Sequence, residues 1–328
     1  MKTLNSRLLL TGVLAGITAT LLVLGANAQP SFSAVLYAAS ALPILIAGLG
    51  WGNIAAIVSI VTAFVLGAVA ISPSFALVMT LVTLVPAGWI SHLANLARPA
   101  DEIGGPDHLM AWYPLSDMVV QLCGLVTVGV IVVGVMIGYG PDLTDKMVDA
   151  LMTALTAQEP SFQPDPDATA QTKSLIVLML PALQAGIWVI MLFAAYYIAT
   201  RIVTASGRNF RPREDVPSAL RMNRNAIFIF LAGLVACFAG GIPAMIGATV
   251  FGAFGAGFVL AGFSALHYRT RGKDWRLPVL VLCYLAATMV LPILFVLVLG
   301  LSDTRKAIAL TPNKDAKTTK PLDPNPEN

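Results

Sequence analysis

Charge is what this chain has least of. Asp, Glu, Lys and Arg make up 11% of its 328 residues, against about a quarter of an ordinary soluble chain. With 57% hydrophobic residues and a mean hydropathy of +0.80, too few polar groups remain to face water, which excludes a soluble globular domain. Cysteine is nearly missing as well. Cys123, Cys237 and Cys283 sit singly inside apolar runs, without the spacing of a disulfide framework or a zinc site, and read as small apolar fillers. No Gly-rich phosphate loop, serine–histidine–acid set or metalloprotease helix motif occurs, so no enzyme, catalytic residue, cofactor or metal site is expected. The net charge of +3, from 20 basic and 17 acidic residues, is too small to argue for a nucleic-acid partner.

What is present is a succession of apolar runs of about 20 residues, the length that crosses a bilayer as a helix. Windows of that length place spans at 8–25, 32–50, 51–71, 75–96, 117–137, 175–202, 226–248, 251–267 and 277–301. The fold class is therefore all-α, a polytopic transmembrane helical bundle of nine spans, with eight as the alternative count. The stretches 32–71 and 226–267 are each about two spans long and are expected as tight hairpins turned by glycine. An apolar segment behind Lys2 and Arg7, followed by Ala26-Asn27-Ala28, imitates a secretory signal peptide. The next apolar segment opens within a few residues, and charge parity in the later loops favours an uncleaved first span.

Orientation follows from lysine and arginine bias. Arg201, Arg208, Arg211, Arg213, Arg221 and Arg224 follow the sixth span, and Arg269, Arg271, Lys273 and Arg276 precede the ninth; both segments are expected in the cytoplasm, with the N-terminus. Segment 139–172 holds Lys146 alone against Asp142, Asp145, Asp149, Glu159, Asp165 and Asp167, as an external loop should. An odd span count would export a tail bearing Arg305, Lys306, Lys314, Lys317 and Lys320, and that conflict favours an even count.

The chain divides into a transmembrane domain, 1–301, and a polar tail, 302–328, that lacks apolar periodicity and is expected to be disordered. Within the first lie the external loop 139–172 and a cytoplasmic basic loop, 203–225. In the external loop Leu143, Met147, Val148, Leu151, Met152 and Leu155 recur at helical spacing, an amphipathic helix that Asp142 can cap after Pro141. The proline-bearing stretch 158–171 reads as a flexible connector.

An ionisable side chain at membrane depth is costly, so it is a candidate for function by default. Among carboxylates only Asp117 qualifies; a helix cap is its simpler role and a substrate or ion contact the alternative. His92 and His267 fall at the cytoplasmic interface as anchors, and His108 in a solvated loop. Asn53, Gln121 and Gln184 are the deeper polar groups, able to hydrogen-bond between helices. Gln121 lies one turn from Asp117, and Gln184 just after Pro181, so if those faces meet they form a small polar pocket. Asp117, Gln121, Gln184 and Asn53 are the expected substrate-binding residues. Gly48, Gly50 and Gly52, with Gly240 and Ala244 in the seventh span, have the spacing of close helix packing. Pro43 followed by Gly50 and Gly52 is weakly echoed by Pro243 followed by Gly252 and Gly255, as inverted broken-helix repeats would be.

Ala41-Leu42-Pro43, Ala47 to Gly52 and Trp112-Tyr113-Pro114 resemble the YybS-like family of uncharacterised predicted bacterial membrane proteins. The second half continues the likeness in Ser206-Gly207-Arg208, Arg211-Pro212, Gly262 to His267 and Thr270-Arg271-Gly272. The family in turn looks distantly like the substrate-binding membrane components of vitamin-type energy-coupling transporters. That likeness is one of fold, and the family has no assigned reaction; the reading of the whole chain is a multi-pass protein of the bacterial inner membrane, a small-molecule transporter or its substrate-binding subunit, with lipids, a small-molecule ligand and partner subunits as its expected partners. The alternative is a non-transporting membrane scaffold.

Overall fold

The computed structural model describes residues 6–159, 165–287, 289–305 and 308–312, and over these the chain is an all-α polytopic bundle. Its helices are α1 (Ser6–Ala28), α2 (Ser33–Ala39), α3 (Ala41–Trp51), α4 (Asn53–Ala70), α5 (Pro73–Met79), α6 (Val85–Ala94), α7 (Leu115–Ile137), α8 (Pro141–Gln158), α9 (Pro166–Ala205), α10 (Val216–Ala219), α11 (Asn225–Ala236), α12 (Gly241–Arg269), α13 (Arg276–Ala286) and α14 (Val290–Ser302). Seven stretches among the described residues are long and apolar enough to cross a membrane: α1, α4, α7, α9, α12 and the composite rods Pro30–Trp51 and Pro73–Ala94. In the second rod a π-helical turn, Thr80–Leu84, precedes Pro86, where a proline removes an amide donor and crowds the preceding turn.

Small residues set how closely the rods approach. A Cβ on Gly12 would lie 2.8 Å from the Ala55 carbonyl oxygen, and one on Gly16 2.6 Å from that of Ser59; α1 and α4 therefore touch backbone to backbone and run parallel. A Cβ on Gly48 would strike Ser91 of α6, and one on Gly252 the Ala182 carbonyl of α9. The long apolar side chains point the other way, with Leu10, Leu21, Val69 and Val135 at least 60% exposed, as lipid-facing positions require.

Contacts between loops define one face. Arg208 lies 4.7 Å over the Trp51 ring, Asn95 donates to the Gly48 carbonyl at 2.9 Å, Arg211 donates to the Tyr113 carbonyl at 2.8 Å, and Arg271 pairs with Asp215. The two arginine-bearing segments thus share this arginine face with the start of α1, while α8 follows the opposite end of α7. On α8 the polar side is held by Lys173, which reaches Asp145 at 3.1 Å and Asp149 at 3.0 Å. Gly140, not Asp142, occupies the α8 N-cap position. The connector expected over 158–171 is already helix from Pro166, where Asp165 caps α9.

Three expected spans come out differently. The hairpin in 226–267 turns at Gly240 and Gly241, both at positive φ (74° and 56°), rather than near 248–251, so Gly240 is a turn residue and not a packing one. The result is a short α11 of 12 residues and an unbroken α12 of 29, which also removes the inverted-repeat echo, because Gly252 and Gly255 interrupt nothing. The span expected over 277–301 is broken into α13, of 11 residues, and α14, of 13. Pro292, in the first turn of α14, accounts for the break, since a proline inside a continuous helix removes an amide donor and crowds the preceding turn. Both outer ends of this broken pair lie at the arginine face: α13 starts seven residues beyond Arg269, and just past α14 Asp303 lies 2.7 Å from Arg221 and 3.9 Å from Arg269. The parity conflict of the basic tail disappears with it.

The described part of the tail is ordered. Arg305 N–H bonds the Met222 carbonyl, and Leu310–Pro312 (β3) joins Ala97–Pro99 (β1) and Leu109–Trp112 (β2) in an antiparallel sheet ordered β1-β2-β3. Trp112 ties this strap down through its indole N–H to Thr311 at 2.8 Å. The rest of the tail expected to be disordered, 313–328, lies outside the described residues.

Candidate functional site

The polar residues expected to meet are held at separate places. Asp117, in the first turn of α7 with Pro114 at the N-cap, accepts from the Asn223 amide at 2.9 Å. Gln121 accepts from the Trp89 indole at 2.6 Å and donates to the Tyr113 hydroxyl. Gln184 accepts from the Tyr139 hydroxyl, and Tyr139 lies past the far end of α7. Twenty-three helical residues at 1.5 Å each put some 35 Å, about a bilayer core, between the two ends. Asn53 lies 2.8 Å from His92. Asp117, Gln121 and Gln184 therefore do not line one pocket, and each of the four has a protein partner. Of the expected packing residues, Gly48 is in tight contact, Gly52 supplies a positive φ of 89°, and a Cβ on Gly50 would meet nothing closer than 3.5 Å. Ala244 is buried in α12 and Pro43 sits in the first turn of α3.

A cleft of about 530 Å³ lies elsewhere, where α9, α12 and α13 meet the segment between α9 and α11. Pro212 and Pro217 keep most of that segment out of helix, leaving only the four residues of α10. Ser264 of α12 anchors it by donating to the Val216 carbonyl at 3.2 Å. On the α13 side, Tyr284 stacks on Phe263 with ring centres 4.6 Å apart and planes 3° from parallel, and its hydroxyl lies 2.9 Å from His267 Nε2. The deep end is apolar, with Phe193, Leu220, Leu260 and Phe263; the outer end carries Arg213, Arg276, His267 and Tyr197.

Charge in this cleft is unequally matched. Glu214 is taken by Arg211 and Asp215 by Arg271, and the Arg271 guanidinium holds the Asp215 carboxyl below the usual carboxylate range. Arg213 and Arg276 have no ion pair among the described residues. The arrangement can hold an anion at the outer end beside an apolar body deeper in.

Behind the cleft, Arg221 is fully buried. Its Nε donates to Asp303 at 2.7 Å and its Nη1 to the carbonyls of Pro217 and Leu220 at 2.9 and 2.6 Å. This buried pair fastens the end of α14 to the irregular segment. A second cavity of about 370 Å³, bounded by Arg98, Tyr113, Asp117 and Ile308, lies under the strap. Reading the arginines as topology signals alone missed Arg211 and Arg221. Their one visible trace in the sequence is the proline spacing, Pro212 and Pro217, which denies the segment a long helix and forces its arginines to bond backbone carbonyls.

The chain belongs to the DUF2232 family of predicted membrane proteins, which it matches over residues 16–304. No curated protein and no solved structure matches it.

Proposed function

We propose, with membership of that membrane-protein family as the premise, that the chain binds a small molecule in the cleft between α9, α12 and α13. It does so as a transporter or as the substrate-binding subunit of one, in a bacterial inner membrane. The single observation that carries this reading is a cavity of about 530 Å³, a drug-sized volume, where the largely non-helical segment between α9 and α11 meets α13 of the broken helix pair. Interrupted helices are the usual walls of transporter sites, and here the broken α13–α14 pair supplies one wall while the irregular segment of the arginine face closes the other. By the positive-inside rule the arginine face is cytoplasmic, with the N-terminus and the strap on the same side. Native mass spectrometry of the gently extracted protein is expected to find a retained small molecule, and Leu260→Trp, which fills the deep end, is expected to expel it. Spectra empty for both proteins would defeat the reading.

The scaffold alternative has an observation of its own in Asp117, Gln121 and Gln184, each bonded to another protein side chain. On that reading, cleft-filling substitutions leave no ligand to lose and change stability alone.

A further inference from the structure

We infer that the ligand of the cleft is an anionic amphiphile, with a phosphate or similarly charged oxyanion head at Arg213 and Arg276 and an apolar body reaching toward Phe193 and Leu260. The inference rests on the small-molecule reading above and deepens it.

The charge balance points to the head. Two carboxylates border the cleft, and each is already neutralised by an arginine, Glu214 by Arg211 and Asp215 by Arg271. That leaves Arg213 and the half-buried Arg276 as cations without an ion pair among the described residues. Guanidinium groups match oxyanions in fork geometry and so suit a phosphate or carboxylate head. The hydroxyls of Tyr197 and Tyr284 at the same end add donors. A cationic ligand would meet only carboxylates whose charge is already spent on Arg211 and Arg271.

The body follows from the depth. His267 and Leu260 are seven residues apart on α12, about 10 Å along the helix, and between them the wall changes from basic and aromatic to purely apolar. A bare inorganic anion would fill only the outer end. A neutral apolar molecule would leave both arginines unmatched.

Two sources share this chemistry: a soluble organic anion with an apolar tail, or the head of an anionic phospholipid entering from the bilayer. The test uses the full chain in phosphatidylcholine nanodiscs, with thermal melting followed during titration with octyl phosphate, octyl glucoside or inorganic phosphate. Octyl phosphate is expected to raise the melting temperature saturably. Inorganic phosphate should bind at least about tenfold more weakly for want of the tail. Arg213→Gln, at an exposed position, should weaken octyl phosphate by about tenfold, the worth of one charge-assisted hydrogen bond; Arg276→Gln should do the same. Repeating the titration in nanodiscs containing phosphatidylglycerol separates the sources, since competition identifies the lipid and its absence a free anion, and both outcomes support the assignment. Equal effects of octyl glucoside and octyl phosphate, both indifferent to the arginine variants, would overturn the anionic head and leave the small-molecule reading standing. Saturable binding of none of the probes, with native spectra empty, would overturn both.

Discussion

Residues 8–97 contain no Asp, Glu, Lys or Arg, whereas residues 206–312 carry most of the charge that touches the bundle, and the two regions are built differently. The first folds into rods with close contacts at glycine, where small hydroxyls such as Ser59 bond back to their own helix and a few uncharged side chains, Asn53 with His92 and Asn95 with the Gly48 carbonyl, link one rod to the next. The second interrupts its helices at Gly240 and Gly241, between α13 and α14, and over most of 206–224, and in the last of these Arg221 and Arg305 bond the carbonyls of Pro217, Leu220 and Ser218. An uncharged segment in lipid needs only to satisfy its own backbone, which a helix does unaided. Irregular backbone and buried guanidinium carry a standing cost in such an environment, and the region that retains them also encloses the cleft.

The largest effect expected from breaking this contrast is at the α12–α14 crossing. A Cβ on Gly262 would meet the Val296 carbonyl, and one on Gly300 the Phe258 carbonyl, so Gly262→Leu or Gly300→Leu should detach α14. A loss of about 3 kcal/mol is expected, the upper end of ordinary overpacking, visible as a lower melting temperature of the solubilised protein. Gly50→Ala in the first region, with no atom nearer than 3.5 Å, should be nearly silent. Equal sensitivity at Gly50 and Gly300 would show that the crossing is not tightly packed.

Next comes the buried pair. Arg221→Met leaves Asp303 without its main partner, and because that carboxylate is 23% exposed the cost should be roughly 2 to 3 kcal/mol, below that of a fully buried orphan charge. Protease cleavage within 303–312 should accelerate as the strap loosens. Adding Asp303→Leu should restore most of the stability, because a buried pair replaced by apolar groups is often neutral. Failure of the double variant to recover would mean that Arg221 acts through its bonds to Pro217 and Leu220 instead.

Smaller effects are expected from the interior hydrogen bonds. Tyr139→Phe and Gln184→Leu should each cost about 1 kcal/mol, and the pair together little more than either alone, since they share one bond. Neither should alter ligand binding in the cleft. A ligand-dependent change in the Gln184 variant would return that residue to the site where the sequence had put it.

Legibility in the sequence divides along the same line. In the uncharged region apolar length and glycine sufficed: the turn between residues 50 and 53 and the contact at Gly48 were readable because nothing there competes with helix. In the second region, hydropathy counts residues 277–301 as one span because it is blind to the geometric effect of Pro292. It likewise places the 226–267 turn by length, when two adjacent glycines able to take positive φ decide it. The expected pocket failed for a different reason. Helical spacing shows that Asp117 and Gln121 share a face of α7, but which helix that face meets is a tertiary fact, and the partners proved to be Asn223, Trp89 and Tyr113.

The smallest effect lies at the rim, where Arg271 and Asp215 pair with side chains 43% and 46% exposed. Arg271 holds the Asp215 carboxyl below its ordinary range, so the folded state binds its proton less readily than the unfolded chain does. Stability from this pair is therefore fully present above the ordinary carboxylate range and is lost as pH falls through the depressed native value. Exposure and salt screening keep it small. Melting temperatures compared between the parent and Asp215→Asn should coincide at low pH and separate slightly at neutral pH, with the parent the more stable and the gap closing in high salt. A gap that widens on acidification would reverse the sign and show that Asp215 is stabilised as the neutral acid, which would in turn free Arg271 to serve the cleft alongside Arg213 and Arg276.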